Sequence, residues 1–210
     1  IQGLRAAIQA ASLLGEPEPP KAAMRLEASE KALMEAFYDP DTGSFCGGVN
    51  GADAFAVDLG LGDSRTRQNL ADRYRKSGKL DTGIFGTDIL LDVLFRQGEG
   101  QLAYELLAKK TDASFANMME KGATTLWETW DGGASHNHPM FGGAVRQLFT
   151  QVLGIRQQPG SAGYADVRIE PADIPGLSWA EGWITAPGGR IYVRWKRNED
   201  GSISVSDRPE

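Results

Sequence analysis

The spacing of apolar residues changes once along this chain, and that change restricts the folds open to it. Up to about residue 153, apolar positions recur at intervals of three and four. From about residue 155 they alternate instead. A helical part followed by a smaller antiparallel part is therefore expected. Ile1, Leu4, Ile8 and Ala11 mark the buried stripe of a first helix. The segment Glu16-Pro-Glu-Pro-Pro20 stops it, because proline lacks the amide donor and clashes with the preceding turn. A second helix is expected from Lys21 to Tyr38, with Ala22, Leu26, Leu33 and Phe37 on one face, and Asp39-Pro-Asp-Thr-Gly43 is a turn by composition. Further helices are expected over about 52–61 (a short helix or buried turn), 64–77, 88–97, 101–109, 114–120 and 142–153. Asp63 or Ser64 would cap the second of these. In the last, Val145, Leu148, Phe149 and Val152 carry the stripe. Helices of this length joined by loops suggest stacked antiparallel pairs. In the tail, strands are expected over 166–170, 180–185, 190–195 and 202–206, with Gly188-Gly189 as a tight turn and Trp179, Trp183 and Trp195 in the core.

Composition removes several function classes. The 22 basic and 28 acidic residues leave a formal charge of −6, so nucleic acid is not an expected partner. No apolar run approaches the ~18 residues of a membrane helix, so no membrane partner is expected. The single cysteine, Cys46, excludes a disulfide framework and a multi-cysteine zinc site, and it does not fix a compartment. The 26 glycines predict many tight turns or close backbone approaches. The chain begins Ile-Gln-Gly, without an initiator Met or a signal peptide, and reads as a piece of something longer.

One stretch stands apart. Residues 122–140, Gly-Ala-Thr-Thr-Leu-Trp-Glu-Thr-Trp-Asp-Gly-Gly-Ala-Ser-His-Asn-His-Pro-Met, hold both histidines, two of the five tryptophans, Glu128 and Asp131. The plainest reading is a loop docked over helices, with Trp127 and Trp130 as lids. A sugar site is the functional reading, because indole faces suit pyranose C–H faces while carboxylates and imidazoles bind hydroxyls. Glu128, flanked by aromatic residues, would be partly desolvated, which raises carboxylate basicity and suits a general base that activates water. A metal site is the third reading. His136 and His138 are two apart, so extended backbone points both to one side, with Glu128 and Asp131 to complete a set. His-x-His without a third histidine is a weak signal, and no metal or cofactor is expected. Asp81 is expected to make an Asx turn. Asp53 and Asp58 are expected to bond backbone amides.

Four segments in order resemble the bacterial α-L-rhamnosidases of glycoside hydrolase family 78. They are Leu80-Asp-Thr-Gly-Ile-Phe-Gly-Thr87, Leu102-Ala-Tyr-Glu-Leu-Leu107, Gly122-Ala-Thr-Thr-Leu-Trp-Glu128 and Ser135-His-Asn-His-Pro-Met-Phe-Gly142. Gly51-Ala-Asp-Ala-Phe-Ala56 fits as well. The resemblance implies a mainly α fold, part of an (α/α)6 toroid of antiparallel helix pairs, followed by a small antiparallel β-sandwich. Residues 1–154 would be the C-terminal half of the catalytic domain, and 155–210 the sandwich. It also implies inverting removal of terminal α-L-rhamnose, with Glu128 as general base and His138 against the sugar. Trp127, Trp130, Asp131 and Asn137 fall on neighbouring motif positions and are expected to bind substrate. His136 stands where relatives often carry an apolar residue and is not expected to be a contact. The family's general acid belongs to an upstream Asp-x-x-x-Arg-x-Glu segment, which this chain lacks. The partners implied are a rhamnose-containing oligosaccharide or glycoside and the remainder of the chain's own catalytic domain. The 210 residues alone would be inactive. Two other readings stay open: another toroid glycosidase, and a non-catalytic sugar-binding module with a degenerate site.

Overall fold

A computed structural model describes residues 1–206. The chain divides into two compact units, residues 1–73 and residue 74 onward. In the first, helix α1 (Gln2–Leu14) packs against α2 (Ala22–Phe37). α1 ends before the proline run is reached. Gly15 turns left-handed at φ 68°, and the Glu16 amide reaches back to the Ala11 carbonyl at 2.9 Å. Ala11 and Ala22 are buried as expected, but Phe37 is 53% exposed and lies off the inward face. The Asp39–Gly43 turn forms within a short hairpin of β1 (Tyr38–Asp39) and β2 (Ser44–Phe45). The Asp39 carboxylate accepts from the Asp41 amide and the Thr42 hydroxyl, at 2.9 and 2.8 Å. Helix α3 (Ala52–Asp58) follows, and Asp63 caps α4 (Ser64–Ser77) by accepting from the Thr66 amide at 2.8 Å.

In the second unit, α5 (Gly86–Arg96) is the central helix. Leu90, Leu91, Val93 and Leu94 are all fully buried. α6 (Gly100–Ala108) packs beside it and is followed by α7 (Phe115–Glu120), which Ser114 caps through the Asn117 amide. α8 (Gly143–Gln147) also lies on α5 and continues as a wider π-type turn over Leu148–Val152. A side chain at Gly143 would place its Cβ 2.4 Å from the Asp88 Cβ, so this close approach of α8 to α5 requires glycine.

Helix α8 corrects the apolar-stripe expectation. Val145 and Leu148 are 44% and 43% exposed, while Gln147 is fully buried and Gln151 nearly so. Val152 of the expected stripe is buried beside Ala144, but these two amides share the inward face. Gln147 Nε2 donates to Asp88 at 2.8 Å, and Arg146 grips the same carboxylate through two contacts of 3.0 and 2.9 Å. Gln151 Oε1 accepts from Arg156 at 2.8 Å. The π-type turn, with Leu153 N bonded to Leu148 O, rotates the sequence pattern off a strict 3.6-residue period.

The tail is antiparallel. β3 (Ile155–Gln157), which the alternation did not reveal, pairs with β4 (Val167–Ile169). β5 (Trp179–Ala186), β6 (Gly189–Arg197) and β7 (Ile203–Ser206) form a meander. Residues 187–188 make the tight turn. Of the three tail tryptophans expected in the core, only Trp195 is there, at 1% exposure, donating its indole N–H to the Val152 carbonyl at 2.7 Å. Trp179 and Trp183 are 57% and 50% exposed. Register explains this. Trp195 pairs with Ala180, so it shares the face of even-numbered β5 residues, whereas Trp179 and Trp183 project from the other face. Replacing Trp195 with Ala should therefore cost about 3–5 kcal/mol in urea unfolding. Trp179→Ala should change stability by no more than about 0.5 kcal/mol. Equal losses would show that both faces are core.

Candidate active site

Residues 122–138 contain no regular element, yet the loop is closely held. Its two ends run beside each other. The Glu128 amide donates to the Ser135 carbonyl at 2.8 Å, and the His138 amide to the Leu126 carbonyl at 2.7 Å. The Thr125 hydroxyl donates to the His136 carbonyl. Trp127 joins Met118 and Phe141 in a buried cluster, against which Ile84, Phe115, Leu126 and Trp130 pack. Trp130 meets Phe115 edge-on at 5.2 Å and Phe141 at 4.3 Å. Its indole N–H donates to the Thr82 carbonyl at 2.8 Å, tying this loop to the 80–87 loop.

Against this frame the predicted residues separate. Glu128 and His138 come together, with His138 Nδ1 3.7 Å from Glu128 Oε2. Their side chains are 40% and 23% exposed, so the pair is accessible without lying open. Glu128 Oε2 also accepts from the Ser135 amide at 3.3 Å. The other imidazole nitrogen, His138 Nε2, is buried with no hydrogen-bond partner among the described residues. Such an atom is costly unless something arrives to pair with it. Asn137 is exposed beside them.

Trp130 and Asp131 instead line a separate cavity of about 400 Å³ with Lys110, Asp112, Asn117 and Lys121. The Asp131 carboxylate is turned onto its own loop, accepting from the Thr129 hydroxyl at 2.7 Å and the Gly133 amide at 3.0 Å. Those two bonds hold its pKa below the ordinary carboxylate value. Trp127 is 8% exposed, and one ring face is covered by the His136 imidazole, 4.5 Å away and nearly parallel at 15°. The expected open indole platform is therefore not offered at Trp127. The two histidines do not converge, since His136 Nε2 bonds to the Gly132 carbonyl at 2.9 Å while His138 faces Glu128. Among the described residues, no group of three or more His, Cys, Asp or Glu is arranged to hold a metal.

Sequence reasoning missed Thr82, Gly132 and Ser135, all of which act through main-chain groups that carry no residue-type signal. Thr82 and Ser135 stand in the quoted motif segments, but neither was given a role. Asp81 accepts from the buried Tyr74 hydroxyl rather than making the expected Asx turn.

The helical part matches the family model for the bacterial alpha-L-rhamnosidase 6 hairpin glycosidase domain over residues 1–153. Residues 154–208 match the bacterial alpha-L-rhamnosidase C-terminal domain. This chain belongs to the bacterial α-L-rhamnosidase family. An alpha-L-rhamnosidase of Streptomyces avermitilis is 30% identical over 195 residues, which is 85% of this chain and 19% of that protein. One from Alteromonas sp. (strain LOR) is 37% identical over 139 residues, 60% of this chain and 15% of that protein. The crystal structure of the Streptomyces avermitilis alpha-L-rhamnosidase complexed with L-rhamnose superposes with a TM-score of 0.85 at 26% identity, covering 96% of this chain and 21% of that one. The alpha-L-rhamnosidase from Dictyoglumus thermophilum gives 0.81 at 26% identity, covering 93% and 24%. The chain thus spans about a fifth of the length of these rhamnosidases. Its helices belong to the (α/α)6 hairpin fold of that family, and its C-terminal strands to the sandwich. No described helix is long and apolar enough to cross a membrane.

Asp53 lies outside this loop and behaves as a buried structural acid. It is 1% exposed, and its Oδ1 accepts from the Phe45 amide at 2.7 Å. Burial pushes its pKa up, outweighing that hydrogen bond, one from Ser44 and the attraction of Arg73. A carboxyl whose folded value is raised holds its proton longer in the folded than in the unfolded chain. Its contribution is therefore fully present below the unfolded value and lost as pH rises through the folded one. Asp53→Asn keeps an acceptor for Phe45 without the charge. Its stability relative to the native chain should rise between about pH 3 and pH 7 in urea titrations. A pH-independent difference would refute the account.

Proposed function

We propose that this segment supplies the general base and one wall of the sugar site in an inverting α-L-rhamnosidase, with the general acid coming from the rest of the catalytic domain. On this reading residues 1–154 belong to the catalytic domain and 155–210 to the sandwich, in keeping with where the two family matches meet. The observation that carries it is the Glu128–His138 pair, a carboxylate 40% exposed that faces an imidazole 3.7 Å away.

The acid protonates the glycosidic oxygen as the bond from C1 to that oxygen breaks. Glu128 takes a proton from a water whose oxygen attacks C1 from the opposite face, so the anomeric configuration inverts. Inversion requires the two carboxyl groups to stand ~6.5–9.5 Å apart, with the water between. Glu128 is suited to the base because its Oε2 is oriented by the Ser135 amide and His138 while the group stays open to water. His138, whose side chain is 23% exposed beside Glu128, stands where a sugar hydroxyl would meet it. Asn137 adds polar groups beside it. Trp130 and Asp131 line a separate cavity on the same loop, and the buried Trp127 backs the base. The substrate class is a glycoside ending in α-L-rhamnose.

Glu128→Gln in the full-length enzyme should lower turnover of an aryl α-L-rhamnoside by about 10²–10⁴-fold. NMR of the first product should show β-L-rhamnose with the native enzyme. The 210-residue chain alone should leave the substrate intact. Near-normal turnover by the Glu128→Gln enzyme would sink the assignment. Rhamnose binding without turnover in the native full-length protein would favour the sugar-binding module instead.

A further inference from the structure

We propose that His136 is a positioning residue for Glu128, acting through Gly132 and Trp127. The proposal rests on the reading of Glu128 as the base. The turn from Glu128 to Ser135 is closed at its ends by the Glu128 amide on the Ser135 carbonyl and the Ser135 amide on Glu128 Oε2, at 2.8 and 3.3 Å. Those two bonds say nothing about the residues between. His136 fixes them. Its ring lies on Trp127, and its Nε2 is 2.9 Å from the Gly132 carbonyl. A carbonyl only accepts, so Nε2 carries the proton.

Gly132 is held from the other side as well. Its φ is +79°, and a Cβ there would stand 2.7 and 2.8 Å from the Trp127 ring and 3.3 Å from His136 Nε2. Trp127, Gly132 and His136 therefore form one packed wedge across the middle of the turn. Both groups that orient the carboxylate are attached to that wedge. Ser135, whose amide meets Oε2, precedes His136, and His138, whose Nδ1 faces Oε2, follows two residues later. The Thr125 hydroxyl, on the His136 carbonyl, fixes the main chain at the same point. An apolar side chain at 136 would cover the indole but leave the Gly132 carbonyl unheld.

The test uses the full-length enzyme and an aryl α-L-rhamnoside. His136→Leu keeps the cover on Trp127 and removes the bond, while His136→Gln restores an N–H of similar reach. His136→Leu should lower kcat by about 10–100-fold, the scale of a misplaced catalytic group. KM should stay within about twofold, and Tm should be unchanged. His136→Gln should recover most of the loss. In the Glu128→Gln background, His136→Leu should have no further effect. If His136→Leu does not fold, His136→Gln against His136→Asn makes the same comparison, because the shorter amide does not span to Gly132. Unchanged kcat in His136→Leu, an equal loss in His136→Gln, or a loss that persists without Glu128 would overturn the proposal. Turnover that survives Glu128→Gln alone overturns the base assignment itself and is distinguishable from these outcomes.

Discussion

The site depends on one hydrogen bond between two loops, from the Trp130 indole N–H to the Thr82 carbonyl. A long irregular segment has backbone groups to satisfy and entropy to lose, and it holds one shape only if it buries something. This loop buries aromatic surface. Trp127 and Trp130 settle on Met118, Phe115 and Phe141, from α7 and the turn leading into α8. An indole in such a cluster needs a partner for its one donor. Thr82 supplies that partner from the loop before α5. The helix pairs thus set the position of Thr82, Thr82 sets Trp130, and Trp130 limits where the neighbouring Glu128 can stand.

The sequence made some of this legible and hid the rest for identifiable reasons. Helix positions followed from residue spacing because tertiary contacts reinforced it, as at Leu90, Leu91 and Leu94 in α5. The turn at Asp39–Gly43 and the cap at Asp63 followed from local side-chain chemistry. The inward face of α8 was not legible, because Gln147 and Gln151 are buried by partners more than fifty residues back and five residues ahead. The exposed tryptophans of β5 depend on register with β6, which alternation within one strand cannot supply. The loop was singled out by its concentration of titratable and aromatic residues. What those residues divide into, an aromatic base and a polar rim, needed coordinates. Ser135 and Thr82 contribute main-chain atoms, which any residue type carries.

The division inside the loop makes the plain reading and the proposed functional reading compatible. The two were alternatives only while every residue of the segment was assigned together. The indoles do what a docked loop needs, and Glu128 and His138 keep the polar surface that chemistry needs. Asp131 shows the same economy, because its carboxylate serves the turn through Thr129 and Gly133.

A general base that activates water must meet two opposed demands. It must stay wet enough to receive the water, and it must be still enough to aim it. Burial would secure the second at the expense of the first. The carboxylate of Glu128, the proposed base, is 40% exposed, and it is oriented by an amide and an imidazole on one strand of the loop. Stillness therefore comes from what lies under the residue. Trp127, immediately before Glu128, is buried, and its outer ring face is covered by His136. The rigid part of the loop is thus one residue away from the carboxylate proposed to react. This arrangement lets a surface carboxylate inherit the order of a core.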